Sequence, residues 1–584
     1  MATPQHSFHR FALYLLLVIS TSTSVLAGYL PEPKKCPSGT LVRQASTGLS
    51  QEEKSYVEER RKNATENLAS WLQITDKAFS TKNLPALALV SSGGGYRSML
   101  LGGGIVQAMD ARESKEATKG LLQALTYHTG LSGGAWLLSS LIGNDYPTIS
   151  TLKTELWQPG LVKNTLYPLN TGTSKEFLEV TKDLAAKGQS GYAPTNTDAW
   201  GRLLAYQLLS GPDGGAGKTL SSVVDMASFA GVHIPYPIIT ALGVSPADSN
   251  GICDPADNST QYEFTPYEFG SWDRGLGAFT ATRTLGSVIS NGTSNGTCLN
   301  NYDNLGYILG TSSSKFQEAC GSSLEIIAAM LEPAVNQAHN KTRRDLYAPY
   351  PNPFRNYPGS PLVSADPELL LVDGGQANQN NPIWPFLQKA RDVDVLLVND
   401  NSADTDENWP NGTEILHTYQ QAKLAGLTRM PFIPPVATFI EKKLHQRATF
   451  FGCNDKSKLT IVFLPNVKYD YNTNPASSKF EYMFNETDAM INAGHKIITQ
   501  NGDPAWAGCL GCAIVHKTGE AMPSQCTGCL DKYCFSENKT VSSPATPSSK
   551  PSVLPRSNAA VNASGFSRSV SIAVVVFVVA LLSV

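Results

Sequence analysis

Ser132 lies between glycines in the string Gly130-Leu131-Ser132-Gly133-Gly134, which has the G-x-S-x-G pattern of a nucleophile elbow. The flanking glycines permit the sharp turn that exposes a serine hydroxyl between a strand and a helix. An apolar segment at 121–129 precedes the string, and a helix-compatible run at 135–142 follows it. Short matches to this pattern arise by chance, but the flanking elements favour a nucleophilic serine, with the Gly133 amide at the helix start available to a developing negative charge.

A glycine-rich loop occurs in a second strand-turn-helix unit. The apolar run at 86–90 predicts a buried strand, and Gly93-Gly94-Gly95 then leads into a helix over 96–110. The amides of Gly94 and Gly95 can approach a ligand closely, and the helix start directs further N–H groups the same way. Arg97 falls in the first helical turn, where a cation opposes the helix dipole, so a bound negative group best explains its position. The loop therefore predicts an oxyanion or anion site.

Asp373 ends a third apolar run, at 369–372, and is followed by Gly374-Gly375. A carboxylate at the carboxyl end of a buried strand lies where ligands bind in open α/β sheets. The alternative is a turn residue, since Asp-Gly is a common turn dipeptide. Further along, Asn381 is expected to cap the next helix and Pro382 to open it.

Two loops nearly match nucleotide-binding motifs, but neither match is complete. The loop at 211–219 departs from a P-loop because Pro212 replaces its first glycine and a helical segment precedes it. The loop at 93–98 lacks the third glycine of a dinucleotide fingerprint.

The net charge of −3 and the absence of a basic patch in the sequence exclude a nucleic-acid binder. No calcium-binding loop is visible, so we expect neither a metal nor a cofactor.

Four segments occur in an order that is specific to one family. They are Ser92-Gly93-Gly94-Gly95-Tyr96-Arg97-Ser98-Met99, Gly130-Leu131-Ser132-Gly133-Gly134, Phe264-Thr265-Pro266-Tyr267-Glu268-Phe269-Gly270, and Asp373-Gly374-Gly375 with Asn380-Asn381-Pro382. Together they resemble the fungal phospholipase B/lysophospholipase family and, more distantly, the cytosolic phospholipase A catalytic domain and the patatins. Gly134 stands where the cytosolic enzymes have serine, which places the chain nearer the fungal branch.

The resemblance implies an α/β fold, a three-layer α/β/α acyl hydrolase with insertions and a disulfide-rich C-terminal part. It implies a catalytic dyad in which Ser132 attacks the ester and Asp373 takes and returns its proton. Gly94 and Gly95 match the oxyanion amides, and Arg97 matches an arginine that binds substrate phosphate or stabilises the oxyanion. The implied substrates are phospholipids and lysophospholipids at a membrane or micelle surface, and the acyl-enzyme permits transacylation as well as hydrolysis.

Two alternatives of different kinds remain at this point. A Ser-His-Asp esterase or lipase would draw its histidine from His417, His445, His495 or His516, which all follow Asp373 in the chain. His128 is expected on the strand beside the elbow. The second alternative is a non-enzymatic, anchored cell-wall glycoprotein that uses the same glycines only as turns.

The two ends of the chain indicate export and anchoring. Residues 1–27 have the apolar run and small-residue end of a signal peptide, and the catalytic body is assigned to 28–535. A Ser/Pro/Thr-rich stalk follows at 536–571, and 572–584 is an apolar tail, shorter than the ~20 residues of a spanning helix. This pattern is typical of a removed glycosylphosphatidylinositol (GPI) anchor signal, with Asn558 or Asn562 as attachment site. We expect a location at the outer face of the plasma membrane or cell wall, or release to the medium.

Ten cysteines and dispersed glycosylation sequons fit an oxidising compartment. The spacing of Cys509, Cys512, Cys526 and Cys529 resembles a zinc ribbon, but export and the nearby Cys534 favour disulfides. The glycan candidates are Asn63, Asn258, Asn291, Asn295, Asn340, Asn411, Asn485 and Asn538. Near the start of the body, Ser50 and Glu53 predict a capping box at the start of a long helix.

Overall fold

The computed structural model describes residues 28–166, 174–244, 255–316 and 343–536. The predicted signal peptide, the stalk beyond Ser536 and the apolar tail lie outside the described residues. So do Asn340, Asn538 and the anchor candidates Asn558 and Asn562. None of the helices in the described ranges has both the length and the apolar character needed to cross a membrane.

The described residues form sixteen β-strands. In chain order these are β1 Glu32–Lys35, β2 Val42–Gln44, β3 Leu87–Ser91, β4 Leu125–Gly130, β5 Tyr236–Val244, β6 Gln261–Phe264, β7 Glu268–Ser271, β8 Ala278–Ala281, β9 Ile289–Ser290, β10 Thr293–Ser294, β11 Thr297–Asn300, β12 Ala348–Pro351, β13 Glu368–Asp373, β14 Val395–Asp400, β15 Thr449–Phe451 and β16 Thr460–Pro465.

Fifteen α-helices accompany them in the same ranges. These are α1 Gln51–Thr75, α2 Gly95–Met109, α3 Gly133–Ile142, α4 Ile149–Leu152, α5 Gln158–Leu161, α6 Lys175–Gln189, α7 Asn196–Leu208, α8 Ala227–Ala230, α9 Leu305–Thr311, α10 Trp384–Leu387, α11 Thr413–Leu424, α12 Val436–Glu441, α13 Phe484–Ile498, α14 Trp506–Val515 and α15 Cys526–Tyr533.

Twelve of the strands form one mixed sheet in the order β15-β16-β14-β3-β4-β5-β6-β7-β8-β2, with β13 beside β5 and β12 beside β13. The central strands β16, β14, β3, β4 and β5 are parallel, whereas β6, β7, β8 and β2 continue the sheet as antiparallel strands. The central strands are buried along almost their whole length, as expected for a sheet covered on both faces. The predicted α/β class is confirmed.

Strand β5 is longer than its neighbour β4, and this difference places β13. Gly130 at the end of β4 is level with Ile239, halfway along β5. Beyond that level β13 pairs with the free edge of β5 in the antiparallel direction, with Leu370 opposite Val244 and Asp373 opposite Ala241. Strand β13 therefore runs toward the carboxyl end of β4. The rule for open parallel sheets predicted that Asp373 ends a strand at the ligand-binding edge, but that strand, β13, is antiparallel to β5.

Two helices cross closely where each has a glycine. A Cβ atom added to Gly104 on α2 would lie 1.9 Å from the carbonyl oxygen of Ile491 on α13, and one added to Gly494 would lie 2.1 Å from that of Leu101. Only glycine permits backbones to approach this closely. The contact holds α2, which carries the glycine-rich loop at its start, in a fixed position.

Helix α1 begins as predicted, but only half of the predicted capping box is present. The Ser50 side chain accepts a hydrogen bond from the Glu53 amide at 3.1 Å. The Glu53 carboxylate does not return to the backbone of Ser50, because it accepts hydrogen bonds from Arg391 at 2.9 Å and from Tyr127 at 3.2 Å. A buried ion pair thus takes the place of the second capping bond.

Disulfides join the chain at both ends of the described body. Cys36 pairs with Cys298, Cys453 with Cys534, Cys509 with Cys529, and Cys512 with Cys526. The other two cysteines, Cys253 and Cys320, lie outside the described residues. The predicted disulfide-rich C-terminal part is confirmed, and the four thiols with zinc-ribbon spacing are all used in disulfides.

Candidate active site

Ser132 occupies the turn between β4 and α3, in the strand-turn-helix arrangement that the sequence predicts. Its backbone has a φ of 50° and a ψ of −119°, which is a strained conformation for a residue with a side chain. The residue is 6% exposed. A buried serine held at such a turn has the geometry of a nucleophile elbow.

The two glycines that follow Ser132 are required by close backbone contacts. A Cβ atom at Gly133 would lie 2.1 Å from the Gly95 carbonyl oxygen, and one at Gly134 would lie 2.2 Å from that of Ser91. The start of α3 therefore packs directly against the glycine-rich loop. This contact brings the elbow and the loop together.

The glycine-rich loop borders the Ser132 side chain. A Cβ atom at Gly93 would lie 3.1 Å from the Cβ of Ser132 and 2.2 Å from Asn380 Oδ1. The Gly93 N–H donates to the Asn380 carbonyl at 3.1 Å, while within the described residues the amides of Gly94 and Gly95 donate to no acceptor. Gly94 and Gly95 line the same cavity as Ser132, so their amides are available to an oxyanion that forms there.

Arg97 is in the first turn of α2, as predicted. Its side chain lies in the wall of a cavity that Ser132 also lines. Its Nε and one terminal nitrogen donate to the Asn401 carbonyl at 3.2 and 2.9 Å, and the other terminal nitrogen donates to the Pro475 carbonyl at 2.6 Å. Burial lowers the pKa of Arg97 to about 10, with Tyr482 and two acidic residues opposing that shift. The guanidinium therefore keeps its charge at neutral pH and joins two loops of the cavity wall.

Asp373 is 1% exposed and is fixed through its main chain and its side chain. Its N–H donates to the Ser314 carbonyl at 2.9 Å, and its Oδ1 accepts from the Gly375 amide at 2.7 Å. A 3-10 turn, Gly374–Ala377, follows directly. The predicted helix start at Asn381 and Pro382 is wrong, because α10 begins at Trp384 with Ile383 as its cap.

One cavity of about 320 Å³ brings the predicted residues together. Gly94, Gly95, Arg97, Ser132 and Asp373 all lie in its wall. The rest of its wall combines aromatic side chains with polar ones: Trp136, Trp200, Phe316, Phe480, Ser313, Lys315, Gly375, Asn380, Ala403, Glu414, Ser477 and Ser478. Gly133 does not line the cavity, but it packs against Gly95, which does.

The described histidines lie elsewhere. His128 is buried beside the elbow, where its Nε2 lies 3.0 Å from Ser91 Oγ and burial lowers its pKa to about 3. His445 and His516 bond to main-chain carbonyls, and His495 lies 2.7 Å from a Gln107 oxygen. His417 lies 3.7 Å from Asp257. Neither these five nor His233 lines the Ser132 cavity, so among the described residues no histidine is placed to complete a triad.

Three acidic residues at or near the cavity were not predicted from the sequence. Asp400 is buried, whereas Asp404 and Glu414 are half-buried, and Glu414 lines the cavity. Burial raises the pKa of Glu414 to about 8 and that of Asp404 to about 7, and it also raises the pKa of Asp400. Glu414 accepts a hydrogen bond from the Asn380 amide at 2.9 Å. Asp400 ends β14, which is parallel to β3, so it lies at the edge of the sheet where β3 leads into the glycine-rich loop. An acidic residue at the end of a buried strand was the sequence signal that could have identified it.

The sequence matches a family model described as the lysophospholipase catalytic domain over residues 87–540. It is 34% identical to Lysophospholipase 2 of Aspergillus fumigatus over 88% of this chain and 94% of that protein. It is also 36% identical to Lysophospholipase 3 of Candida albicans, over 87% of this chain and 74% of that protein, and 33% identical to Lysophospholipase 3 of Saccharomyces cerevisiae, over 90% and 84%.

The fold is similar to that of the human GIVD cytosolic phospholipase A2, with a TM-score of 0.65 at 16% identity over 84% of this chain and 72% of that chain. A structure of the same human protein in complex with methyl gamma-linolenyl fluorophosphonate matches with a TM-score of 0.59 at 18% identity, over 84% and 70%. The likeness to these structures concerns the fold.

Proposed function

The chain belongs to the family of lysophospholipase catalytic domains, and from this membership we propose that Ser132 is its nucleophile and Asp373 its general base. The protein is a carboxylic ester hydrolase that acts on lysophospholipids. In the proposed mechanism, Ser132 and Asp373 perform that reaction. We also propose that the protein hydrolyses the acyl esters of intact phospholipids.

In the acylation half of the reaction, Asp373 removes the proton of the Ser132 hydroxyl while Oγ attacks the acyl carbonyl carbon. The electron pair of the carbonyl bond moves to its oxygen, and the Gly94 and Gly95 amides stabilise the resulting oxyanion. When the intermediate collapses, the glycerol oxygen leaves with the proton that Asp373 had taken. The products are an acyl-enzyme on Ser132 and a deacylated alcohol.

In the second half, water or the hydroxyl of another lysolipid attacks the acyl-enzyme. Asp373 takes the proton of the attacking group, the same two amides hold the second oxyanion, and the Ser132 oxygen leaves with the proton. Water yields a free fatty acid, and a lysolipid yields a transacylated phospholipid. Both outcomes use the same residues.

The observation that supports this dyad most is the shared cavity. Ser132, Asp373 and the glycine-rich loop line one space, and the five described histidines discussed above lie outside it. A carboxylate can act as the base when its site excludes water, and Asp373 is 1% exposed. The Ser-His-Asp alternative would need a histidine that reaches Asp373.

Substitutions of the base and of the histidines test the dyad. We expect Ser132→Ala and Asp373→Asn each to lower lysophospholipase turnover on the order of 10³-fold or more, because each removes an obligatory member of one unit. His417→Ala, His445→Ala, His495→Ala and His516→Ala should each stay within about tenfold of wild type. Rates are measured on secreted variants whose thermal unfolding matches wild type. One folded histidine variant as inactive as Ser132→Ala would refute the dyad.

We further propose that the mature protein is a GPI-anchored glycoprotein at the outer face of the plasma membrane or in the cell wall. The disulfides of the described body support an oxidising compartment. Four sequon asparagines, Asn258, Asn291, Asn295 and Asn485, are exposed, whereas Asn63 and Asn411 are half-buried. The exposed four are the better candidates for glycan attachment.

A further inference from the structure

Three consecutive serines follow helix α9, and each contacts a different part of the site. Ser312, Ser313 and Ser314 are all buried. Ser312 contacts the main chain of Ser132, Ser313 contacts two tryptophans of the cavity wall, and the Ser314 carbonyl accepts from the Asp373 amide. None of the sequence motifs includes this segment.

The Ser312 hydroxyl connects the nucleophile to the strand beside the base. Its oxygen accepts from the Ser132 N–H at 3.0 Å, and its proton goes to the Thr240 carbonyl at 2.7 Å. Thr240 precedes Ala241, the residue of β5 that pairs with Asp373. Because Ser132 has a strained backbone, it keeps its position only while its surroundings hold it there. The Ser312 bond is such a restraint.

The Ser313 hydroxyl holds two indole rings at once. The Nε1–H groups of Trp136 and Trp200 both donate to its oxygen at 3.0 Å, and the hydroxyl donates to the Leu309 carbonyl at 2.8 Å. A hydroxyl has one proton and two lone pairs, so these three bonds use its full capacity. The side chain has no freedom to turn without losing one of them.

The two indoles belong to a continuous aromatic wall beside Ser132. The ring centroids of Trp136 and Trp200 are 5.8 Å apart, and those of Trp200 and Phe480 are 5.5 Å apart, both in edge-to-face geometry. All three side chains line the cavity that contains Ser132. An apolar wall next to the attacked carbonyl suits a long acyl chain, and its shape depends on the orientation of the indoles.

We propose that Ser312 and Ser313 are positioning residues, Ser312 for the nucleophile and Ser313 for an aromatic wall that selects long-chain acyl groups. This inference rests on the proposed function, since it assumes that Ser132 is acylated. Ser312 acts on every substrate, because every acyl group reacts at the same hydroxyl. Ser313 acts only where the acyl chain is long enough to lie along the wall.

The test compares Ser312→Ala and Ser313→Ala in the full-length protein on palmitoyl and octanoyl lysophosphatidylcholine and on p-nitrophenyl butyrate. For Ser312→Ala we expect kcat to fall about 10- to 100-fold on all three substrates, with KM within about threefold of wild type. For Ser313→Ala we expect KM to rise about tenfold for the palmitoyl substrate and less than about threefold for the other two. Ser312→Thr keeps the hydroxyl and should recover most of kcat.

Matched controls separate this role from a general loss of structure. Ser360 is also fully buried and donates one hydrogen bond, to the Leu276 carbonyl at 2.6 Å, but it does not line the cavity. Ser360→Ala should therefore leave both constants within about twofold of wild type. Trp200→Phe keeps an aromatic ring but lacks the N–H donor, so it should show the same palmitoyl-selective rise in KM. This variant therefore tests the role of Ser313 even if Ser313→Ala does not fold.

Two results would overturn the inference. One is an equal change in KM for palmitoyl and octanoyl substrates in both Ser313→Ala and Trp200→Phe. The other is a wild-type kcat in Ser312→Ala. Ser132→Ala is assayed alongside, because full acyl transfer by that variant would refute the proposed nucleophile itself and so identifies a failure of the proposed function.

Discussion

The Arg97 guanidinium bonds to the carbonyls of Asn401 and Pro475 while it lies in the wall of the Ser132 cavity. These bonds supply a second explanation for a cation at the start of α2, since the guanidinium connects two loops through main-chain oxygens. The first explanation, a bound negative group, is compatible with them because the side chain remains charged and part of the cavity wall. The two roles differ in which substrates they affect.

We expect Arg97→Lys to impair turnover of a lysophospholipid more than turnover of p-nitrophenyl butyrate. Lysine keeps the charge but loses the planar fork that matches a phosphate, and the soluble ester has no phosphate. The measurement is kcat/KM for both substrates in variant and wild type. Equal losses would assign Arg97 to the oxyanion or to the two loops, and wild-type activity on both would remove it from the site.

Glu414 is the residue for which the structure gives the clearest pH dependence. Burial raises its pKa from 4.5 to about 8, and repulsion from Asp404 adds to the shift. Between these two values the folded protein holds a proton that the unfolded chain has released. The free energy of unfolding therefore decreases as pH rises through this interval and levels off above about pH 8.

We expect Glu414→Gln to lose less stability than wild type between about pH 5 and about pH 9, because glutamine carries no charge to bury. Its side-chain oxygen can still accept the bond from the Asn380 amide. The measurement is Tm at both pH values for the variant, for wild type and for Glu66→Gln, an exposed control on α1. A pH dependence of Tm that is the same in all three proteins would contradict the assignment.

At the scale of the elements, a buried ion-pair cluster connects α1 to the sheet. Arg391 lies 2.9 Å from Glu53 on α1 and 2.7 Å from Glu263 on β6, and all three side chains are at most 3% exposed. The cluster crosses from the first long helix to the antiparallel half of the sheet. Its removal should therefore affect the whole fold and not only one helix.

Arg391→Met should lower the free energy of unfolding by about 3–5 kcal/mol, because it leaves two buried carboxylates without their cationic partner. Lys62→Met removes an ion pair with Glu59 on the exposed surface of α1, where water screens the charges, and should leave the free energy of unfolding close to that of wild type. Urea unfolding of both variants gives the two values. Similar costs for the buried and the exposed pair would show that the cluster does not stabilise the fold.

For the whole molecule, the location proposed above depends on segments outside the described body. The apolar tail at 572–584 lies beyond the described residues, and its composition is that of a removed anchor signal. A lysophospholipase held at the outer membrane face would meet its substrates at that surface. In the proposed arrangement the anchor would determine where hydrolysis takes place, whereas the residues proposed for the chemistry all lie in the described body.

We expect a phosphatidylinositol-specific phospholipase to move the protein from the detergent phase to the aqueous phase, because it cleaves the lipid from a GPI anchor. The matched control is a chain that ends at Ser571, which lacks the tail and should enter the medium without treatment. Both proteins are followed by activity and immunoblot in a detergent partition. A truncated chain that stays with the membrane would contradict the proposed anchor.

Local features of the site were predictable from short stretches of sequence. The Ser132 elbow, the glycine-rich loop and the place of Arg97 in the first turn of α2 follow from strand, turn and helix signals that lie close together in the chain, so the order of residues was sufficient to predict them. The cap at Ser50 belongs to the same class. The pairing partners of Cys509 and Cys512 do not, since several connectivities satisfy the same spacing.

Tertiary structure alone decided how these local units combine. Strand β13 reaches the Ser132 edge in the antiparallel direction because β5 extends past the end of β4, and strand length and register come from pairing between distant segments. The proposed roles of Ser312 and Ser313 depend on contacts with Ser132 and Trp136, which lie more than a hundred positions away in the chain. The Glu53 carboxylate likewise pairs with Arg391 instead of bonding to the backbone of Ser50. A sequence pattern covers a short stretch of neighbouring residues, whereas these contacts join distant segments and exist only after the chain has folded.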